Sequence, residues 1–258
     1  MLLRRITEHV KAQNWTAVAL DFVIVVVGVF IGIQVSNWND ARADLADERL
    51  LLARMHDETR ALLQIQRSEY AEHLPRFEAM EAIHPLLFDE APVRPLTSGE
   101  CRLIAISHWL PAPTDDLPIL EEVIATGRID LIADENVKEN LRRFALARDR
   151  SRRQYAEAVN ELFRLYSRHP TALWHTRTPI DDSDVPGRLA RHAGEGYKWA
   201  NECDLAVMRD NKAFQADYAD NVSRLNSFIE RYDGLIVVLE DLEAALSAEA
   251  GPEPGRAR

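Results

Sequence analysis

Apolar positions along this chain follow three different patterns, and each predicts a different kind of helix. The first is an unbroken run. Phe22 to Ile33 contains no charge and no amide. A bilayer crossing needs about 20 helical residues, so the helix must reach past Asp21 on one side or past Gln34, Ser36 and Asn37 on the other. With Trp15 and Trp38 as interface anchors the segment is 24 residues long, about 36 Å at roughly 1.5 Å per residue. We therefore expect a membrane helix over 15–38.

The second pattern is the amphipathic stripe. Leu2, Leu3, Ile6 and Val10 fall on one face of a short segment that is expected to lie on the inner leaflet. Beyond the span, Leu45, Leu52, Met55, Thr59, Leu62, Gln66 and Tyr70 follow steps of three and four, predicting that the helix continues. Pro75 should kink or restart it, with a second piece over 76–88 carrying Phe77, Met80, Ile83 and Leu87. Thr97 or Ser98 should cap a short helix from Glu100 to Trp109, with Leu103, Ile104, Ile106 and Trp109 inward. Another short helix should follow Thr114-Asp115-Asp116 and end at Gly127, a natural C-cap. Asp134 should cap a long helix from about Glu135 to Arg168, striped by Val137, Leu141, Phe144, Val159, Leu162 and Tyr166. Its basic middle, 148–153, should pair with acidic neighbours. Residues 169–200, with several Pro and Gly, read as a long loop with a short helix near 187–192.

The third pattern is the cleanest. Leu225, Phe228, Tyr232, Leu235, Leu239, Leu242 and Leu246 alternate steps of three and four in a helix over about 210–248. This is a heptad seam. It suits either a second copy of the chain or packing on the stalk helix within one chain. Residues 249–258 read as a disordered tail.

The architecture these patterns predict is all-α: an N-terminal single-pass transmembrane helix continuing into an elongated antiparallel helical bundle. Its parts are a cytoplasmic segment 1–14, the span 15–38, an extracytoplasmic domain 39–248 and the tail. Orientation follows from the flanks. Arg4, Arg5 and Lys11 precede the span, while Asp40 and Asp44 follow it. Basic residues on the short N-terminal side place it in the cytoplasm and send the long C-terminal part outward. Cleavage after Ala41-Arg42-Ala43 is the competing reading, but that site lies ten residues beyond the apolar run.

Charge sharpens this picture. The chain carries −11, of which residues 1–38 contribute +1, so the remainder carries −12. An acidic domain of this kind is a poor nucleic-acid binder. The two cysteines, Cys101 and Cys203, fall on the outward side, where a disulfide is permitted. Within the span, Gly28 and Gly32 form a G-x-x-x-G that lets two helices approach closely. Asp21 is an intramembrane acid that either meets a partner or reaches the headgroups.

The chain shows no G-x-S-x-G, H-E-x-x-H, P-loop or G-x-G-x-x-G pattern. His56-Asp57-Glu58 reads as a solvated face. His169, His175 and His192 gather with Trp174 and Trp199 in the 169–200 stretch, but their spacing matches no recurring metal pattern. No enzyme activity, cofactor or metal is expected.

Three stretches together resemble a family of uncharacterised bacterial membrane-anchored proteins built around a domain of unknown function. They are DFVIVVVGVFIGIQVSNWND, the long helix after it, and ILEEVIATGRIDLIADENVKENLRRF at 119–144. The resemblance implies an inner-membrane anchor with a helical extracytoplasmic domain and supplies no activity. The leading functional expectation is a periplasmic protein-interaction or scaffolding module. Its partners would be the lipid bilayer, a second copy in a homodimer, or an unidentified membrane or periplasmic protein. The alternative is a ligand-sensing bundle acting through a membrane partner.

Overall fold

A computed structural model describes residues 15–160, 163–179 and 197–250. The expected segment 1–14, Leu162, the predicted short helix at 187–192 with His192, and residues 251–258 lie outside them. The chain is mostly helical. One helix, α1, runs from Trp15 to Leu87, about 110 Å at roughly 1.5 Å per residue. It is followed by α2 (Ser98–Ala105), α3 (Pro118–Thr126), a 3-10 turn (Arg128–Leu131), α4 (Glu135–Asn160) and α5 (Leu165–Arg168). Two strands, β1 (Leu173–Pro179) and β2 (Tyr197–Cys203), precede α6 (Leu205–Asp210) and α7 (Lys212–Ala250).

Local chemistry sets most helix ends. Thr97 caps α2 in a full capping box: its hydroxyl accepts from the Glu100 N–H, and the Glu100 carboxylate accepts from the Thr97 N–H. Arg94 also holds that carboxylate, and with the Thr97 contacts keeps it acidic, at about 2. Asp134 accepts from the N–H groups of Asn136 and Val137 at the start of α4. Gly127 closes α3 with φ +70°, a conformation that costs a side-chain-bearing residue about 1–2 kcal/mol. At the end of α1 the N–H groups of Glu90 and Ala91 reach back to the Pro85 carbonyl. Asp89 takes φ +68° there and pairs with Arg209.

Several expectations change. Pro75 does not end the helix; both Pro75 and Pro85 sit inside α1. Pro75 removes the N–H that would bond the carbonyl of residue 71, but Pro75 and Ala71 are both exposed, so water can serve that carbonyl. The second half of α1 is buried on one face and holds the helical path. α2 ends at Ala105, four residues early, and Trp109 is 60 % exposed rather than inward. The long helix ends at Asn160 with α5 set apart, and a short helix that was not expected, α6, precedes the last one. α7 continues to Ala250, into the segment expected to be tail. The 169–200 stretch is not purely loop: β1 and β2 pair antiparallel, with Arg177 opposite Trp199 and Leu173 opposite Cys203. The fold is therefore not all-α. β1 carries Trp174, Thr176 and Thr178, and β2 carries Tyr197 and Trp199, residues that suit a pleated surface.

Two apolar clusters lie along α1 and α7. One gathers Leu52, Met55 and Leu63 of α1 with Ile119 and Val123 of α3, Leu141 and Phe144 of α4, and Leu239, Leu242 and Leu246 of α7. The other joins Met80, Ile83 and Leu87 of α1 with Ile104 of α2, Leu165 of α5, Leu173 of β1, Met208 of α6, and Phe214, Tyr218 and Leu225 of α7. Between them is a polar waist. The Gln66 amide donates to the Thr114 carbonyl, the buried Asp115 takes the Arg152 guanidinium at 2.7 Å, and the Tyr232 hydroxyl donates to Glu69. Contacts between α1 and α7 pair Arg67 with Glu240, Glu69 with Tyr232, Met80 with Tyr218 and Leu87 with Gln215. Residue numbers rise along α1 as they fall along α7. Every seam residue of α7, from Leu225 to Leu246, is buried within this one chain. The seam is thus not free for a second copy.

Candidate membrane anchor and exposed surfaces

α1 has two halves of opposite character. From Leu51 onward, buried residues recur on one face; before it the apolar side chains are open. Val26 and Val27 are each 48 % exposed and Phe22 is 69 % exposed, with no part of the domain against them. This is one helix long and apolar enough to cross a membrane, near the N-terminus. The burial contrast matters more than the composition. A core helix of a soluble protein hides its apolar side chains, whereas none of this window is covered.

The details of the window follow from the same geometry. A Cβ added at Gly28 or Gly32 meets nothing within 4 Å, so both glycines present bare backbone outward. Trp38 is exposed, and the Arg42 guanidinium lies 4.7 Å from its ring. Trp15 and Asp21 belong to α1, but their side chains fall outside the described ones.

Cys101 of α2 and Cys203 of β2 are joined as a disulfide, with Cα atoms 5.7 Å apart. The link fastens the C-terminal end of β2 to the helix that precedes the loop at 106–110. Leu173, opposite Cys203, is fully buried beside it. Further along the hairpin the side chains come out. Tyr197 and Trp199 are 51 % and 71 % exposed, and the Arg177 guanidinium lies 5.1 and 5.6 Å from their rings.

The histidine group of this region divides. His169 is buried, and its ring nitrogen Nε2 lies 2.8 Å from Asp217, which also accepts from Arg168 at 2.7 Å. Its backbone carbonyl accepts from Ala172 and Leu173, so His169 ties α5, β1 and α7 together. His175 instead packs against Tyr166 and Trp199. Among the described residues no three His, Cys, Asp or Glu side chains form a metal-sized group.

One further expectation is modified and one holds. His56 and Glu58 are not simply solvated. His56 lies 3.1 Å from Ser247 and 3.6 Å from Glu243, and Glu58 accepts from the Ile119 N–H at the start of α3. A carboxylate there complements the positive end of that helix. The basic stretch of α4 does meet acids: Arg148 pairs with Glu121 at 2.9 Å and Arg152 with Asp115 and Asp116. An open groove of about 750 Å³ between α4 and α7 is lined by Gln154, Glu157, Arg224, Ser227, Glu230 and Arg231. Its charges are mixed, and it contains no nucleophile paired with a base. Comparison of the chain with protein-family models, with curated proteins and with solved structures finds no match.

Proposed function

We propose that this chain is a single-pass protein of the bacterial inner membrane that holds a helical domain in the periplasm as a protein-interaction or scaffolding module. The observation that carries this reading is the uncovered apolar half of α1, continuous with a half whose apolar face is fully used. Such a helix gains nothing in water and about 25 cal/mol per Å² of apolar surface removed from it in a bilayer. The domain itself is an antiparallel helical bundle with a disulfide-pinned hairpin, a reading supported by the reversed order of the α1–α7 contacts. Arg4, Arg5 and Lys11 support a cytoplasmic N-terminus. The disulfide supports an oxidising location for the domain.

With the α7 seam spent inside the chain, self-association falls to the span. Gly28 and Gly32, bare on the open side of α1, are the surface for a homodimer or for another membrane helix. Cysteine cross-linking of the full chain in membranes tests this. Dimers or mixed complexes should form with the native span and fall several-fold in a Gly28→Leu/Gly32→Leu variant. Unchanged complexes would reduce the span to a tether. Ligand sensing through a membrane partner is the second reading, and the cationic cluster described next is the observation that favours it.

A further inference from the structure

Most arginines of this acidic domain find a carboxylate. Arg54, Arg67, Arg148, Arg152 and Arg168 each pair with an Asp or Glu within 3.0 Å. One group does not. Arg76, on the exposed-to-buried border of α1, spends its Nη2 on the Ile106 carbonyl at 2.6 Å. Its Nε and Nη1 are shut off from solvent and have no hydrogen-bond partner. Beside it, in the loop after α2, the Nδ1 of His108 is likewise enclosed and unpartnered. Arg164, at the start of α5, is exposed and makes no ion pair among the described residues.

These groups lie in one place. The Ile106 carbonyl that Arg76 holds is two residues before His108, and the His108 ring packs on Tyr166 of α5 with centroids 6.0 Å apart. The Arg76 guanidinium lies 5.7 Å from the exposed Trp109 ring. Burial first, then the charge of Arg164, push the His108 imidazole toward its neutral form; a hydrogen bond to the Ala105 backbone opposes them, and the Arg76 charge adds to them. Burial alone lowers the Arg76 pKa, with no carboxylate opposing it. Of the nearby acids of α1, Glu69 accepts from Tyr232, and Glu72 forms no ion pair with Arg76 among the described residues.

We propose that Arg76, His108 and Arg164 form a binding site for a small oxyanion, a phosphate or carboxylate group, entering beside Trp109. A guanidinium presents N–H donors in a planar fork that matches two oxygens of such a group. Unmet buried donors are costly, and those of a charged group more so. An anion supplies both the missing acceptors and the missing charge, and draws a proton onto His108. Arg231 also has an enclosed, unpartnered Nε, but no second enclosed donor group is shown beside it.

The test is anion binding by the full-length protein in non-ionic detergent and phosphate-free buffer. Inorganic phosphate, sulfate and acetate are titrated separately by calorimetry, with chloride holding ionic strength constant. Saturable binding at millimolar concentration or below is expected for at least one anion. Binding of phosphate or sulfate assigns the site to a phosphate group; binding of acetate alone assigns it to a carboxylate. Arg164→Gln, at an exposed position, should weaken binding about tenfold, the loss of one charge-assisted hydrogen bond. His108→Gln should weaken it similarly, and Arg150→Gln should not. No saturable binding of any of the three anions, or equal weakening by Arg150→Gln, overturns the site.

Discussion

Phe144→Ala should destabilise the helical domain by about 3–5 kcal/mol, the range for removing a fully buried aromatic ring. Phe144 is wholly enclosed in the cluster that joins α1, α3, α4 and α7. Its removal therefore opens a cavity where these four helices meet. The ion pairs across the same seam, such as Arg67–Glu240 and Arg143–Asp241, are half exposed. Each contributes roughly 0–1 kcal/mol and cannot offset the loss. Leu146 lies on the same helix but is 68 % exposed. Leu146→Ala should stay within about 0.5 kcal/mol of wild type. Guanidinium unfolding of the full chain in detergent, followed by far-ultraviolet circular dichroism, measures both. Similar losses for the two variants would mean that the domain does not pack along this seam.

Loss of the Cys101–Cys203 link should have an effect of comparable size. The bond spans 102 residues, and closing a loop of about that length restricts the unfolded chain by roughly 4.7 kcal/mol in the chain-entropy account. Removing a native disulfide typically costs about 2–5 kcal/mol. A Cys101→Ser/Cys203→Ser variant should fall in that range. The damage should concentrate in the second cluster, where the bond fastens β2 to α2. Limited proteolysis should then cut between 173 and 203 earlier than within α4. Identical mobility of the native chain on reducing and non-reducing gels would show instead that the bond does not form.

What could be read from the chain, and what could not, divides by range. The caps at Thr97, Gly127 and Asp134 are local chemistry, and each sits where its sequence neighbours place it. The α7 seam was legible because its period is strict and long. Whether it faced a second copy or this chain was not legible, since α1 lies more than a hundred residues away. The hairpin escaped notice because Pro170, Pro179 and the glycines after 186 dominate the stretch. Its period-2 alternation is also weak: Trp174 and Trp199 stand out toward solvent while Leu173 is buried. Pro75 misled for the opposite reason, since packing on either side of it outweighs one lost hydrogen bond. The cationic cluster had no sequence signal at all. Arg76, His108 and Arg164 come from three separate segments, and only the folded chain brings them together.

The account rests most heavily on α1 crossing a membrane with the domain outside. The most direct measurement fuses a reporter that is active only in the periplasm to the C-terminus of the full chain, in a Gram-negative host. A reporter active only in the cytoplasm is fused at the same point in parallel. The account predicts that the periplasmic reporter is active, that the cytoplasmic one is silent, and that the fusion sediments with membranes and resists alkaline extraction. An active cytoplasmic reporter, or release of the fusion into the soluble fraction, would contradict it.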